Sequence, residues 1–277
     1  MTTTAGRFVC YYRKSMMPDE ELIEAQKYFF CTNHIVDIKP NDLVVGRYSV
    51  LPFYNEQSEN IEILGGKLVN SYKQHLYVAD LGAYVNDLGE DMTPRTWSEL
   101  SHVNPDQAPF VLKGQTNSKK HMWQTHMFAN TFEDAKKVYS RLMEDNMIGE
   151  QRIYIRKYLP LVQLGKAVTG LPFTKEFRVF VYNGKVVSKG FYWSALNEDI
   201  SAQGYEIPSV SDIPEDFLGE CIWRIGKNCN FYTIDVAQDI TGKWWVIELN
   251  DGNMAGLSEI PPSEFYKNLY ELMSESK

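Results

Sequence analysis

Apolar and polar residues alternate with two different periods along this chain, which predicts a mixture of helices and short strands. An apolar run at residues 7–12 predicts a strand. A helix is predicted from Pro18 to Phe30, because a proline and three acids suit a helix N-terminus and apolar residues then recur on one side. Residues 35–38 and 43–45 predict strand pieces, and residues 46–105 predict a patchwork of short strands and turns.

The second half of the chain carries clearer signals for strands and hairpins. Asn183-Gly184 joins two runs with a strand pattern, and Thr241-Gly242 occupies the same position in a later pair. The predicted strands are 109–113 and 153–159, the hairpins span 173–193 and 230–250, and the helices are 131–146, 214–227 and a last one capped by Ser263. The pattern therefore predicts an α+β fold with mostly antiparallel sheets in this half.

A turn-rich stretch near the middle predicts a domain boundary. Prolines at 94 and 105 lie in segments that lack helical or strand periodicity, and a strong strand signal begins directly after them. At about 150 residues per domain, 277 residues predict two domains. We therefore expect a small α/β domain over residues 1–105 and a larger domain over residues 106–277.

Composition narrows the class of protein. Hydrophobic residues make up 44% and charged residues 23%, which is typical of a globular chain and excludes disordered and collagen-like proteins. The formal net charge of −8 disfavours duplex nucleic acid as a partner. No apolar run approaches the length of a membrane-spanning helix, and Met1–Arg7 shows no signal core. Four cysteines without C-x-x-C spacing predict free thiols, so we expect a cytosolic protein of a bacterium or an infected host cell.

The last hairpin predicts a metal site. Its turn places Asp235 directly opposite Glu248, and Asn250 shares their face because it lies two residues further along the strand. The opposite face is predicted to be the core side and carries Ile234, Val236, Trp245, Ile247 and Leu249. Opposed carboxylates repel each other, and this set of oxygen ligands suits Mg²⁺ or Mn²⁺. The alternative is a pair of solvated acids on an outer face.

The first hairpin predicts an anion site. Its turn places Arg178 opposite Lys189, with Glu176 on the same face. Opposed cations are unfavourable unless an anion bridges them, and arginine offers a planar fork that fits phosphate. The alternative is that Glu176 neutralises Arg178 while Lys189 extends into water.

A lysine also ends the strand at 109–113. Lys113 shares a face with Val111, and the following loop to Lys120 supplies hydroxyls, amides and two more cations, Lys119 and Lys120. This loop could cover phosphates, but it lacks the glycines of a Walker A motif. A solvated polar loop is the more frequent outcome for such a sequence.

The order of these features resembles that of the ATP-grasp superfamily. It is closest to a branch seen in phage and bacterial proteins and named for its Arg and Lys signature. The segments that carry the resemblance are Phe110-Val-Leu-Lys113, Lys175-Glu-Phe-Arg-Val-Phe-Val181, Ser188-Lys189 and Val246-Ile-Glu-Leu-Asn-Asp-Gly252. The resemblance implies an ATP-grasp fold, in which two antiparallel-sheet subdomains at 106–160 and 161–277 sandwich ATP, preceded by the small α/β domain.

The resemblance also implies roles for individual residues. Lys113 would contact the α- and β-phosphates of ATP, with Lys119 in the loop beside them. Arg178 and Lys189 would hold the γ-phosphate and the acyl-phosphate made from it. The adenine hinge would consist of Arg156, Lys157, Tyr158 and Leu159, and the ligands of one or two Mg²⁺ ions (or Mn²⁺) would be Asp235, Glu248 and Asn250.

The implied reaction is ATP-dependent ligation. A carboxylate attacks the γ-phosphate of ATP, and an amine or thiol then displaces phosphate; no base is identified for the second step. We expect a small-molecule or peptide acid and amine as substrates, bound near Arg47, Arg95, Trp97 and Asn253. The alternatives are a phosphotransferase of the same fold and a nucleotide-binding or interaction protein without turnover. The pattern carries no prediction of the oligomeric state.

Overall fold

A parallel sheet begins the chain in the computed structural model, which describes residues 6–276. Its strand order is β2-β1-β3-β4, and Val9 and Val44 lie fully buried at its centre. The elements are β1 (Phe8–Tyr11), α1 (Asp19–Ala25), β2 (Phe30–Thr32), β3 (Leu43–Val45), α2 (Tyr54–Ile63) and β4 (Lys67–Leu68). This confirms the small α/β fold predicted at the start of the chain. Met1–Ala5, where the sequence shows no signal core, lies outside the described residues.

Three helices occupy the region predicted as strands and turns. After α2 come α3 (Tyr72–Ala79) and α4 (Leu81–Leu88), so the prediction for residues 46–105 is wrong. Ser71 begins α3 with a capping box, in which its hydroxyl accepts from the Gln74 N–H and the Gln74 side chain accepts in return. These helices have at most ten residues, so each shows only a short apolar stripe.

Two smaller predictions in the N-terminal region also fail. The first helix ends at Ala25 and not at Phe30, because Phe30 begins the edge strand β2. Residues Ile35–Asp37 form one turn of 3₁₀ helix in place of a strand.

An antiparallel sheet follows, with strand order β5-β8-β6-β7. Its elements are β5 (Thr96–Trp97), β6 (Phe110–Gly114), α5 (Trp123–His126), β7 (Phe128–Ala129), α6 (Phe132–Met143) and β8 (Ile153–Lys157). Thr131 caps α6 as predicted, since its hydroxyl accepts from the Asp134 N–H. Because β5 pairs with β8, residues 96–97 already belong to this second sheet. The domain boundary near residue 105 stays a prediction.

The third part of the chain contains the largest antiparallel sheet, in the order β12-β11-β13-β14. The elements are β9 (Gln163–Lys166), β10 (Pro172–Thr174), β11 (Glu176–Tyr182), β12 (Lys185–Phe191), α7 (Asn197–Ala202), α8 (Glu215–Ile225), β13 (Phe231–Gln238), β14 (Trp244–Asp251) and α9 (Pro262–Glu275). Both predicted hairpins are confirmed. The last helix is capped at Pro261 and not at Ser263.

A β-bulge changes the register of the first hairpin. The shift lies between Phe180 and Val181, so Arg178 faces Gly190 while Lys189 faces Val179. Directly opposed residues share a face of the sheet, and neighbours along a strand do not. Lys189 therefore lies on the opposite face from Arg178, and the predicted opposition of these two cations is wrong.

A second bulge affects the last hairpin in the opposite way. Asp235 faces Glu248 as predicted, but the register then shifts so that Val236 faces Val246. As a result Val246 and Trp244 lie in the core. The prediction that Trp245 and Ile247 form the core side of this strand is wrong.

Helices cover the two faces of the large sheet unequally. Helices α4 and α8 pack on the face that carries Phe177 and Val236. The other face is covered at one end by α9, through Phe180 and Phe265. The rest of that face, with Arg178 and Glu248, remains open toward the second sheet. No helix within residues 6–276 combines the length and apolar character needed to span a bilayer.

Candidate functional site

A cleft separates the second and third sheets. It encloses about 880 Å³, including its open mouth, which is within the size range of small-molecule sites. Strands β6 and β8 form one wall, and β10, β11 and β14 form the other. The charged residues that line it are Lys113, Lys120, Arg156, Lys157, Glu176 and Glu248.

The outer part of the cleft is mainly apolar. All four predicted hinge residues, 156–159, line it together with Leu161, Leu171, Met127 and Trp123. The N–H groups of Lys157 and Tyr158 donate to the carbonyl oxygens of Arg95 and Pro109. Within residues 6–276 the Leu159 N–H has no hydrogen-bond partner, so it can donate to a planar ligand.

The Arg156 guanidinium joins the two walls of the cleft. It donates to the Ile247 carbonyl oxygen at 2.6 Å and to Thr93 Oγ1 at 2.8 Å. Burial lowers the pKa of Arg156, although the charge of Glu248 acts in the opposite direction. The side chain is therefore engaged with the protein, and only its position beside the cleft agrees with the predicted hinge.

A close ion pair crosses the inner end of the cleft. The Lys113 ammonium on β6 contacts Glu248 Oε1 on β14. Burial raises the pKa of Glu248, but the charges of Lys113 and Lys120 outweigh it and bring the pKa to about 2. Glu248 is therefore ionised at neutral pH and stays inside the cleft because cations surround it.

A second ion pair lies beside the first, on the large sheet. Arg178 Nε and Nη2 donate to the two carboxylate oxygens of Asp235 at 2.9 and 2.8 Å, and Nη1 donates to the Gly256 carbonyl oxygen at 3.0 Å. Burial lowers the pKa of Arg178, but the Asp235 charge raises it further. The Tyr192 ring lies 4.8 Å from the guanidinium. This paired fork holds a fixed positive group at the base of the cleft.

The predicted metal ligands are brought together as a set of oxygen ligands. Asp235 is fully buried opposite Glu248, and Asn250 lies on the same face of β14. No group of three or more His, Cys, Asp or Glu side chains in the described part of the chain is arranged for a metal, so the third ligand here is an amide. Each carboxylate oxygen keeps a free lone pair beside its cationic partner. Two carboxylates and an amide fit Mg²⁺ or Mn²⁺, which retain water and substrate phosphate as further ligands.

The loop after β6 places one of its two lysines in the cleft. Lys120 Nζ lies 2.9 Å from the Tyr192 hydroxyl, with the rings of Tyr192 and Trp193 beneath it. Burial lowers the pKa of Lys120, and the Tyr192, Glu176 and Glu248 charges raise it more strongly. Lys119 instead forms an ion pair with Asp145 at 2.6 Å and does not line the cleft. Its predicted place among the phosphate contacts therefore passes to Lys120.

Lys189 lies outside this constellation. Its ammonium is 2.7 Å from Glu215 at the start of α8, on the face of the sheet away from Arg178. The predicted phosphate clamp of Arg178 and Lys189 does not form.

Glu176 is the cleft residue whose role the sequence did not identify. Its side chain is buried, and its hydrogen-bond partner is the Thr174 hydroxyl at 3.2 Å. Burial is the main cause that raises the pKa of Glu176 to about 7; Lys120 opposes the shift and Asp235 adds to it. The available signal was its position two residues before Arg178. However, Arg178 is neutralised by Asp235 and not by Glu176.

Two predicted substrate contacts have structural roles. Arg47 is fully buried, bound to Glu21 at 2.7 Å and to the carbonyl oxygens of Gly252 and Ala255. Asn253 is also fully buried and accepts from the Gly46 N–H at 2.9 Å. Both residues join the N-terminal sheet to the loop after β14 and do not line an open pocket.

Comparisons with known proteins agree with this architecture. A family model of an ATP-grasp domain, the third family of its clade, matches residues 99–269, which include every charged residue of the cleft. No curated protein matches the chain by sequence.

Several solved structures share the fold at low sequence identity. A RimK domain protein ATP-grasp from Sphaerobacter thermophilus is 14% identical, with a TM-score of 0.59, over 94% of this chain and 98% of that one. The D-cycloserine synthetase DcsG is 13% identical, with a TM-score of 0.59, over 96% and 99% of the two chains. The ATP-grasp ligase PsnB, complexed with precursor peptide PsnA2 and AMPPNP, is 11% identical, with a TM-score of 0.56, over 100% and 99%.

Proposed function

The chain belongs to the ATP-grasp superfamily, and on this premise we propose that it is an ATP-dependent carboxylate–amine ligase. The observation that carries the proposal is the pairing of Lys113 with Glu248 beside Arg178 with Asp235, at the inner end of a cleft between two antiparallel sheets. That Arg178 and Lys189 mark the phage and bacterial branch of the superfamily stays a prediction.

The two ends of the cleft suit the two ends of ATP. The apolar outer part, with Tyr158 and Leu159, offers stacking surface and an unpaired N–H for adenine. The inner end holds the ammonium groups of Lys113 and Lys120, which can contact the phosphates. Positioning and charge neutralisation supply most of the catalysis in phosphoryl transfer, so this arrangement is sufficient for the first step.

Asp235, Glu248 and Asn250 would hold Mg²⁺ or Mn²⁺, which when bound neutralises phosphate charge. Glu248 exchanges Lys113 for the divalent cation, and the freed ammonium then pairs with the phosphates of ATP. Arg178 keeps its Asp235 partner and presents its remaining edge to the acyl-phosphate. This account uses each charged group on one face of the cleft.

Glu176 supplies the base that the ligation step requires. A pKa of about 7 leaves a large fraction of this carboxyl group ionised at neutral pH, in a position 4% exposed and on the same strand as Arg178. The substrate ammonium donates a proton to the Glu176 carboxylate and becomes the free amine. The amine then attacks the acyl carbon, and phosphate leaves with the bonding electron pair.

We propose a peptide or an amino acid as the source of the acid or the amine. Support comes from the similar folds of D-cycloserine synthetase DcsG and of PsnB, whose structure contains a precursor peptide. A cytosolic location and a lack of nucleic-acid and membrane partners remain predictions from composition, and a thiol in place of the amine remains an alternative acceptor.

The test is ATP turnover with defined pools of amino acids and peptides. A ligase releases ADP and phosphate only when both an acid and an amine are present, and a condensed product appears by mass spectrometry. A phosphotransferase would instead accumulate a phosphorylated acceptor without any amine. Binding of Mg·ATP in calorimetry, without turnover over the pools, would identify a nucleotide-binding protein.

A further inference from the structure

Two cysteines lie side by side in the N-terminal sheet, far in sequence from the cleft residues. Cys10 on β1 is directly opposite Cys31 on β2, and the two strands are parallel. Neighbouring strands are about 4.7–4.9 Å apart. That separation is within the range of about 4.4–6.8 Å between Cα atoms that disulfides span. The register therefore permits a bond between these residues with little backbone movement.

The two thiols differ in exposure and in acidity. Cys10 is fully buried, whereas Cys31 is half-buried and reaches the edge of the sheet. A hydrogen bond between the two thiols raises the pKa of Cys10 and lowers the pKa of Cys31. When protonated, Cys31 donates to the Phe29 carbonyl oxygen at 3.6 Å. The more exposed sulfur is thus also the one with more thiolate character, which governs reactivity.

The other two cysteines lack these properties. Cys221 and Cys229 are both buried. Burial raises the pKa of Cys221 to about 12 and raises the pKa of Cys229 well above its ordinary value. They are therefore internal controls for any reaction that depends on an accessible thiolate.

We propose that Cys10 and Cys31 form an oxidisable dithiol that hydroperoxides convert to an intramolecular disulfide. The Cys31 thiolate attacks a peroxide oxygen, the O–O bond breaks, and Cys31 becomes a sulfenic acid while water or an alcohol leaves. The Cys10 sulfur then attacks the Cys31 sulfur, the S–O bond breaks, and a second water leaves with the Cys10 proton. Two thiols are oxidised and one peroxide is reduced, so the step balances.

The position of Cys10 connects this bond to the rest of the chain. The charges of Arg47 and Glu21 both act on Cys10, and Cys10 packs in the same core as α9 through Tyr266 and Leu269. Oxidation would therefore occur where the N-terminal sheet meets the last helix. The inference does not depend on the ligase activity, because it concerns thiols outside the cleft.

The experiment is peptide mapping of the full chain after treatment with hydrogen peroxide. Trypsin places the four cysteines in separate peptides, and the expected product joins residues 8–13 to residues 28–47 with the mass of two hydrogen atoms lost. The thiol count should fall from four to two and return with dithiothreitol. A mixture of isotope-labelled and unlabelled chains should give no mixed pair.

Matched variants decide which sulfur does what. Cys31→Ser and Cys10→Ser should both abolish the linked peptide, Cys10→Ala provides a second substitution for the buried position, and Cys221→Ser should leave the linkage unchanged. Retained thiols at peroxide levels that oxidise free glutathione would overturn the proposal. So would a disulfide that joins two chains, or oxidation of Cys31 to sulfinic acid in the wild-type protein without any linkage to Cys10.

Discussion

Lys113 on β6 and Glu248 on β14 form an ion pair that joins the two sheets across the inner end of the cleft. The lysine is buried, and the glutamate side chain is 21% exposed, so both charges depend on each other. Any anionic ligand that enters the cleft competes for the lysine, and any cation competes for the glutamate. A ligand that carries both charges, such as Mg·ATP, can satisfy the two partners at once.

Removal of the Glu248 charge should abolish turnover without unfolding the protein. Glu248→Gln keeps the shape of the side chain but leaves a weaker metal ligand. We expect turnover to fall by a factor of order 10² or more, as when one charge-stabilising group is lost. Steady-state ADP release and circular dichroism measure the two properties. Glu215→Gln, at an exposed acid on the opposite face of the sheet, is the control; equal activity of the two variants would remove Glu248 from the site.

Loss of the Lys113 charge should make stability depend on Mg²⁺. Lys113→Met leaves Glu248 without its close partner, which costs of order 1–3 kcal/mol. Mg²⁺ that binds at Glu248 should restore much of this, so the variant should gain more in thermal unfolding temperature from Mg²⁺ than the wild type does. Lys185→Met, at an exposed ion pair with Glu275, should show no such gain. A Mg²⁺ response of Lys113→Met equal to that of the wild type would contradict a divalent site at Glu248.

The shape of the Arg178 side chain should matter as much as its charge. Arg178→Lys keeps a cation but loses the fork that binds both oxygens of Asp235. We expect ligase turnover to fall by about 10². Lys189→Met should keep wild-type turnover, because Lys189 lies on the other face and pairs with Glu215. Similar losses in both variants would restore the two-cation clamp that the bulge removes.

The pH profile of ligation should report Glu176. Its pKa of about 7 means that the carboxylate form increases as the pH rises through neutrality, and turnover should rise with it. Glu176→Gln should lower the rate and flatten this limb of the profile. The measurement is turnover from about pH 5.5 to about pH 8.5 at saturating ATP, with Glu133→Gln on the exposed side of α6 as control. An unchanged rising limb in Glu176→Gln would assign the base to another group.

Glu176 should also make the fold less stable as the pH rises. Its pKa moves from an ordinary value of 4.5 to about 7 on folding, so the folded chain binds more protons than the unfolded chain between these values. Stability contributed by Glu176 is therefore present below pH 4.5 and is lost as the pH rises toward 7. Denaturant unfolding at several pH values should show this slope in the wild type. A slope that persists in Glu176→Gln would show that another group causes it.

The two hairpins show how far the sequence predicted the site. In both, the turn residues correctly predicted the strands, because Asn183-Gly184 adopts left-handed backbone angles and Gly242 does the same. Counting from the turn then failed for Arg178 and Lys189 and succeeded for Asp235 and Glu248. A bulge interrupts each hairpin, and nothing in the local residue pattern marked either position. The register depends on packing against α8 and α9, which are distant in sequence.

Charged residues of the cleft were easier to predict than their partners. Lys113 and Glu248 were identified from their positions on predicted strands, but their contact with each other requires the approach of two sheets. Of Lys119 and Lys120, adjacent in one loop, only the structure shows which one reaches the cleft. The buried Glu176 carboxyl has its pKa raised by burial and by carboxylates on two other strands, so no local signal could reveal it.

The central claim, that the cleft transfers phosphate to a carboxylate before ligation, can be tested by isotope transfer. The acid substrate is prepared with labelled oxygen in its carboxyl group and incubated with ATP, Mg²⁺, the amine and the protein. Our account predicts that each product molecule is accompanied by phosphate that carries one labelled oxygen from the acid. Phosphate without label, with product formed, would contradict an acyl-phosphate route through this site.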